Sequence, residues 1–250
     1  MSTINERGSF VVIESNDRAG KTTICENIIK SLPNSVYLKF PNREGKNGKI
    51  INDYLNNLID IPKDEIYKLF VENRLHERDN IISLLESGKN IICDRYCYSG
   101  IVYATFENMS LFNNIIADTN FGSINKPDTF NIKTNFGNKT IIHDMNNLLN
   151  NESGLPKPDI IFLINGSYRD GSNERYDNTN GIYELFKYWF TNGTNEWKDV
   201  NNYFICESII PVNNIYDKDS IEYKVIIEHM IHLIKDIKKN NIKFINEYCF

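Results

Sequence analysis

The chain has 250 residues, 41% of them hydrophobic and 24% charged, and a formal net charge of −5. That length supports one sizeable core, and the acidic balance excludes the general nucleic-acid binders, which are basic. No apolar run is long enough to span a bilayer, and the polar opening Met1–Gly8 has no signal-peptide core, so a cytoplasmic protein without membrane or nucleic-acid partners is expected.

In chain order, Phe10–Glu14 is a β-branched run that reads as a buried strand. It runs into the loop Ser15-Asn-Asp-Arg-Ala-Gly-Lys-Thr22 and then into a helix over Lys21–Leu32, where Ile24, Ile28 and Ile29 recur at helical spacing. Val36–Phe40 reads as a second strand, and Gly48–Leu58 and Lys63–Ser87 read as helices. Asn90–Asp94 is a third strand, Ile160–Ile164 a fourth behind Pro156 and Pro158, and Tyr203–Cys206 a weak fifth. Helices are expected at Ile182–Phe190 and Ser220–Lys238. Short apolar strands alternating with helices predict an α/β protein, a parallel sheet with helices on both faces. The whole chain reads as a single domain, with an insertion over 106–153 where Asn, Thr, Gly and Phe dominate and the alternation stops.

Five cysteines (Cys25, Cys93, Cys97, Cys206, Cys249) without paired spacing fit reduced thiols. Cys93 reads as core and Cys97 as incidental. The four histidines form no recognisable ligand set, and His229 and His232 fall on the last helix, away from the expected chemistry.

The candidate chemistry sits where ligands of a parallel sheet bind, beyond the carboxyl ends of the strands. Strand, glycine-containing loop and helix fit a phosphate-binding arrangement, because the first N–H groups of the helix have no intrahelical partners; an ordinary strand-to-helix turn with a surface lysine is the alternative. Lys21 adds a mobile charge for terminal phosphates, and Thr22 a hydroxyl for Mg2+. Ser15 stands where the usual loop has its first glycine, so some backbone strain or weaker nucleotide binding is expected there. Asp94 and Arg95 follow the third strand, where a carboxylate can hold Mg2+ and a guanidinium can clamp phosphate; a plain salt-bridged strand end is the alternative. Arg43, after Phe40-Pro41, reads as a phosphate ligand or a solvated turn arginine. Phe70, Asn73, Arg74 and Glu77 share a helical face, on which an aromatic can stack on a base and an arginine can donate to its edge; a core aromatic is the alternative.

Six motifs occur together: Glu14-x-x-Asp17-Arg-Ala-Gly-Lys-Thr22, Phe40-Pro-x-Arg43 with Gly48-Lys49, Leu69-Phe70-x-x-Asn73-Arg74, Asp94-Arg-Tyr-x-Tyr-Ser-Gly100 with Tyr103, Gly154-Leu-Pro-Lys-Pro-Asp159, and Glu174-Arg-Tyr176. In this order they resemble the thymidylate kinase family, over nearly the whole chain outside about 106–153 and the C-terminal tail. The arginine inside the loop, Arg18, resembles the eukaryotic and poxvirus branch. The resemblance implies a P-loop nucleoside-monophosphate-kinase fold, transfer of the ATP γ-phosphate to dTMP, Mg2+ as cofactor, a homodimer and a lid over 165–176. It implies Asp17, Arg18, Ala19, Gly20, Lys21, Thr22 and Thr23 at ATP, with Arg18 over the γ-phosphate, and Thr22 and Asp94 near the metal. It implies Asp17, Phe40, Arg43, Phe70, Arg74, Arg95, Ser99, Gly100, Tyr103 and Tyr176 around the acceptor nucleotide. Arg18, Lys21, Asp94 and Arg95 would carry the catalysis. The chain departs from the pattern at Ser15, at Leu75 (tryptophan in many members), in a short lid and in the insertion. Two other readings stay open: a related kinase acting on dUMP, dGMP or bulky thymidine analogues, and a nucleotide-binding protein with weakened catalysis.

Overall fold

The structure, a computed structural model, describes residues 7–17, 19–105, 148, 150–164, 209–212 and 220–240. Its strands are β1 (Phe10–Glu14), β2 (Ser35–Lys39), β3 (Asn90–Asp94), β4 (Ile160–Ile164) and β5 (Ile209–Val212). They form one parallel sheet in the order β2-β3-β1-β4-β5. The helices are α1 (Lys21–Ser31), α2 (Gly48–Leu55), α3 (Lys63–His76), α4 (Arg78–Glu86), α5 (residues 97–105) and α6 (Ile221–Asn240).

The inner strands read as unbroken apolar runs because both of their faces are covered. Phe10 and Val12 of β1, Ile91 and Cys93 of β3, and Ile161 and Leu163 of β4 point to one face, where they pack with Ile81 and Leu85 of α4 and Ile101 of α5. The alternate residues Val11, Ile13, Ile92, Ile160 and Phe162 point to the other face and meet Ile24 and Ile28 of α1 and Ile227, Met230 and Ile234 of α6. Each fully buried side chain of this size contributes about 1.5–3 kcal/mol.

The order of the strands places the site. From β1 the chain runs past β3 to reach β2, whereas from β3 it runs past β1 to reach β4. Parallel crossovers are right-handed, so connections in opposite directions lay their helices on opposite faces. α1 accordingly lies on one face and α5 on the other. Between them the carboxyl ends of β1 and β3 open a crevice at the topological switch point.

Three expectations are corrected, and a fourth, the strand at Tyr203–Cys206, is not tested by the described residues. Lys63–Ser87 is two helices, broken at Glu77 (φ −85°, ψ −4°). α2 stops at Leu55, short of Leu58. The fifth described strand is Ile209–Val212, and Tyr203–Cys206 lies outside the described residues. Cys97 is fully buried in the core beside Cys93, which makes it a packing residue. The expected helix Ile182–Phe190, the lid over 165–176 and most of 106–153 also lie outside the described residues.

Candidate functional site

Gly20 enters α1 at φ +82°, a left-handed angle open to glycine without a Cβ penalty, and no side chain among the described residues caps the helix start. The first-turn N–H groups are therefore left for an anion. Lys21 is buried and donates to the Asn16 carbonyl. Burial, with Arg95 adding repulsion, pushes its pKa down to about 7 despite Asp17, Asp94 and Glu14 nearby. Ser15 is fully buried, and its hydroxyl donates to the Ile164 carbonyl at 2.7 Å. Among described non-glycine residues, positive φ occurs at Asn34, Asn47, Asn57 and Arg95 but not at Ser15. The backbone strain expected of Ser15 is thus absent.

The tip of β3 supplies the second group. Thr22 donates to Asp94 Oδ2 at 2.6 Å, Tyr37 donates to the same oxygen at 3.1 Å, and Lys39 Nζ stands 3.8 Å away. Asp94 Oδ1 is buried with no hydrogen-bond partner among the described residues. Arg95 adopts φ +70°, an uncommon angle for a side-chain-bearing residue and of the kind that clusters at functional sites. That turn sends its guanidinium back to Asp17, with Nη1 also donating to the Ser15 carbonyl at 3.2 Å and to Ser99 Oγ at 3.1 Å. It lies 5.4 Å from the centre of the Tyr103 ring, a cation–π distance. Tyr103 in turn donates to Asp17 Oδ2 at 3.0 Å. Glu14, at the end of β1, accepts from the backbone N–H of Tyr96 and Ser99 and from the Ser99 hydroxyl, so a carboxylate caps α5 where the helix dipole favours it.

The third group is held by α3. Asn73 is buried, accepts from the Asn42 N–H at 2.8 Å, and donates to the carbonyls of Asn42 and Lys46 at 2.8 and 2.7 Å. It clamps the turn that follows the cis Phe40–Pro41 peptide and carries Arg43. Arg43 itself is exposed and donates to Asn52 Oδ1 at 2.5 Å. Phe70 is half-buried. Arg74 is buried and forms a forked ion pair with Glu152. Burial opposes its charge, but Glu152 outweighs that and holds its pKa above the usual value.

One cleft of about 1030 Å³ joins these groups. Asp17, Gly20, Lys21, Thr22 and Thr23 line one part, with Asp94 and Arg95 at the β3 tip. Phe40, Arg43, Phe70, Arg74, Ser99, Gly100 and Tyr103 line the rest. Ala19 is buried beneath the loop in the α1-side core. Arg18 and Tyr176 lie outside the described residues. Sequence reasoning missed Tyr37 and Lys39, which the period-2 alternation of β2 places on one face ending at Asp94. It also missed Glu152, for which the sequence carries no local signal.

The oxygen donors at the loop are one carboxylate and one hydroxyl, with Asp94 Oδ1 still lacking a partner. That set fits Mg2+, a hard cation that takes one or two protein oxygens and completes its shell with phosphate and water. Among the described residues no cluster of three or more His, Cys, Asp or Glu forms a separate metal cage.

The chain is similar to known proteins of one family. The family described as thymidylate kinase matches residues 13–132. A thymidylate kinase of Dictyostelium discoideum is 28% identical over 232 residues, covering 87% of this chain and 88% of that protein. One from Plasmodium falciparum is 28% identical over 227 residues, covering 83% and 92%. Among solved structures, thymidylate kinase from Candida albicans superposes with a TM-score of 0.61 at 27% identity, covering 94% of this chain and 92% of that one. The Ehrlichia chaffeensis enzyme, at 15% identity and a TM-score of 0.51, is similar in fold over 92% of this chain and 99% of its own.

Proposed function

Since the chain belongs to the thymidylate kinase family and is thereby an ATP-dependent nucleoside-monophosphate kinase with the P-loop fold of that class, we propose the division of labour inside its cleft. ATP lies with its phosphates on the loop from Asp17 to Thr23, against the N-terminus of α1, with Lys21 beside the terminal phosphates and Arg18 as an arginine supplied in cis. dTMP lies at the α3 end, its base against Phe70 and Arg74, its sugar near Asp17, Ser99, Gly100, Tyr103 and Tyr176, and its phosphate between Arg43 and Arg95, beside Phe40.

The acceptor is itself a phosphate, largely dianionic near neutral pH, so no general base is required. The work is to bring two polyanions into line and to offset their charge. Lys21, Arg95, Arg43 and Arg18 suit it. Mg2+, held by Thr22 and Asp94, would neutralise phosphate charge when bound. Arg95 reaches both halves of the cleft: its guanidinium touches the Ser15 carbonyl in the loop and Asp17 and Ser99 toward the acceptor side. The observation that carries the reading is one cleft lined both by the phosphate loop and by Phe70, Arg74 and Gly100.

A homodimer and a cytoplasmic location belong to the same proposal. No helix among the described residues is long and apolar enough to cross a membrane.

The test is ADP release with ATP and Mg2+ against dTMP, dUMP, dGMP, dCMP and thymidine. Turnover highest with dTMP is the expected result. Highest turnover with another monophosphate overturns the acceptor assignment, and none from folded protein overturns the kinase reading. The Candida albicans structure is described as revealing the origin of broad substrate specificity in that enzyme, and the same panel reads breadth here.

A further inference from the structure

We propose that Glu152 is a positioning residue for the acceptor base, acting through Arg74; the inference rests on the reading of the cleft given above. Glu152 lies 78 positions from Arg74, in the short stretch before β4. Its Oε2 accepts from Arg74 Nε at 3.0 Å, and its Oε1 pairs with Nη2. The side chains are 3% and 0% exposed, so the pair is almost wholly buried, with Arg74 rather than Glu152 reaching the cleft lining. Two parallel bonds fix the guanidinium in its plane as well as in place, which a single contact does not do.

This fork leaves Nη1 as the donor that Glu152 does not take. Gly100 leaves room for the same group. A Cβ built on Gly100 would stand 2.9 Å from Nη2, 3.1 Å from Nη1 and 3.3 Å from Cζ. The guanidinium therefore fills space that any side chain at position 100 would need, and both residues line the cleft.

Charge decides what such a group recognises. Paired with Glu152, Arg74 is close to neutral as a unit, and a neutral unit with an N–H edge suits the carbonyl of a base. Arg43, exposed and bonded to the uncharged Asn52 amide, keeps its charge for a phosphate. Removing the Glu152 charge leaves a buried guanidinium without compensation. Such a group leaves its position for another anion or for water, and the acceptor base loses its partner while the ATP end of the cleft is untouched.

The experiment measures ADP-release kinetics on the full chain for wild type, Glu152→Gln, Arg74→Gln and the double variant, with dTMP and ATP varied separately. Glu152→Gln keeps the shape of the side chain. Its dTMP KM is expected to rise on the order of ten-fold, with the ATP KM and kcat within about two-fold of wild type. The double variant is expected to match Arg74→Gln alone, because a residue that acts only through Arg74 has nothing left to act on. An unchanged dTMP KM in folded Glu152→Gln, KM values for both substrates rising together, or additive effects in the double variant would each overturn the inference. Should Glu152→Gln not fold, Glu152→Asp keeps the charge one methylene short. A smaller rise in dTMP KM alone then supports positioning, and no rise overturns it. Failure of the wild type to phosphorylate dTMP overturns the parent reading and the acceptor assigned to Arg74 with it. Wild-type turnover without the KM shift overturns the role of Glu152 alone.

Discussion

Lys21 folds back onto the carbonyl of Asn16 inside the phosphate loop. Desolvation is the main reason its pKa falls from 10.5 to about 7, and the positive Arg95 guanidinium adds to it. A triphosphate arriving at the loop brings the negative charge that restores the ammonium. ATP binding between about pH 7 and pH 10 is therefore expected to take up a proton, read by calorimetry at pH 8.5 in two buffers of different ionisation enthalpy, and the uptake should vanish in Lys21→Met. Identical heats for the wild type in both buffers would exclude a depressed Lys21. The same shift has a sign for stability. The folded pKa lies below the unfolded one, so this group's contribution is fully present above about 10.5 and is lost as the pH falls through about 7. Lys21→Met should therefore flatten the rise in stability with pH of the ligand-free protein. It should also remove most turnover while leaving dTMP binding largely intact.

At the scale of elements, α3 is the strut of the acceptor side, and Asn73 is its most committed residue. It serves one N–H and two carbonyls of the turn between β2 and α2, from a position only 1% exposed. Asn73→Ala orphans three backbone groups, each worth roughly 1–3 kcal/mol when unsatisfied and buried. With partial hydration of the turn, a loss of about 3 kcal/mol in urea unfolding is expected. The turn also carries Arg43, so the dTMP KM should rise too; a stability loss without that rise would detach the turn from the acceptor. Elements with a local signature were legible in the sequence. Val11–Ile13, Ile91–Cys93 and Ile160–Ile164 are apolar runs that no surface strand would tolerate. The break at Glu77 was not legible, because neither glycine nor proline marks it. β5, Ile209–Val212, is short and carries Pro211, a residue that argues against a central strand. β5 closes the described sheet, pairing only with β4, and an edge strand has room for a proline that donates no hydrogen bond.

The described molecule is built on a switch-point sheet whose crevice gathers residues from β2, β3, α1, α2, α3 and α5. Those that face the crevice from motifs near strand ends were legible, because the loop and the Asp94-Arg95 tip carry their own spacing. Glu152 was not: its meaning depends on a partner brought to it by the fold of the entire chain. A site assembled this way couples ligand to global stability. dTMP at one hundred times its Kd stabilises by about 2.7 kcal/mol. For a chain of this size that raises the melting temperature by roughly 5–10 °C. dCMP at the same concentration is expected to shift it much less, since its exocyclic amino group meets a donor at Arg74. Equal shifts in a thermal melt would mean that the pocket does not read this edge of the base.

Ser15 gives the phosphate loop a latch that a glycine cannot. Its hydroxyl ties the loop to the last carbonyl of β4, Ile164, across a neighbouring strand. The chain that continues from Ile164 thus departs from a point already moored to the nucleotide cradle. The β1–β4 ladder ends at Glu14 beside Leu163, so this hydrogen bond extends the tie between loop and strand by one further residue.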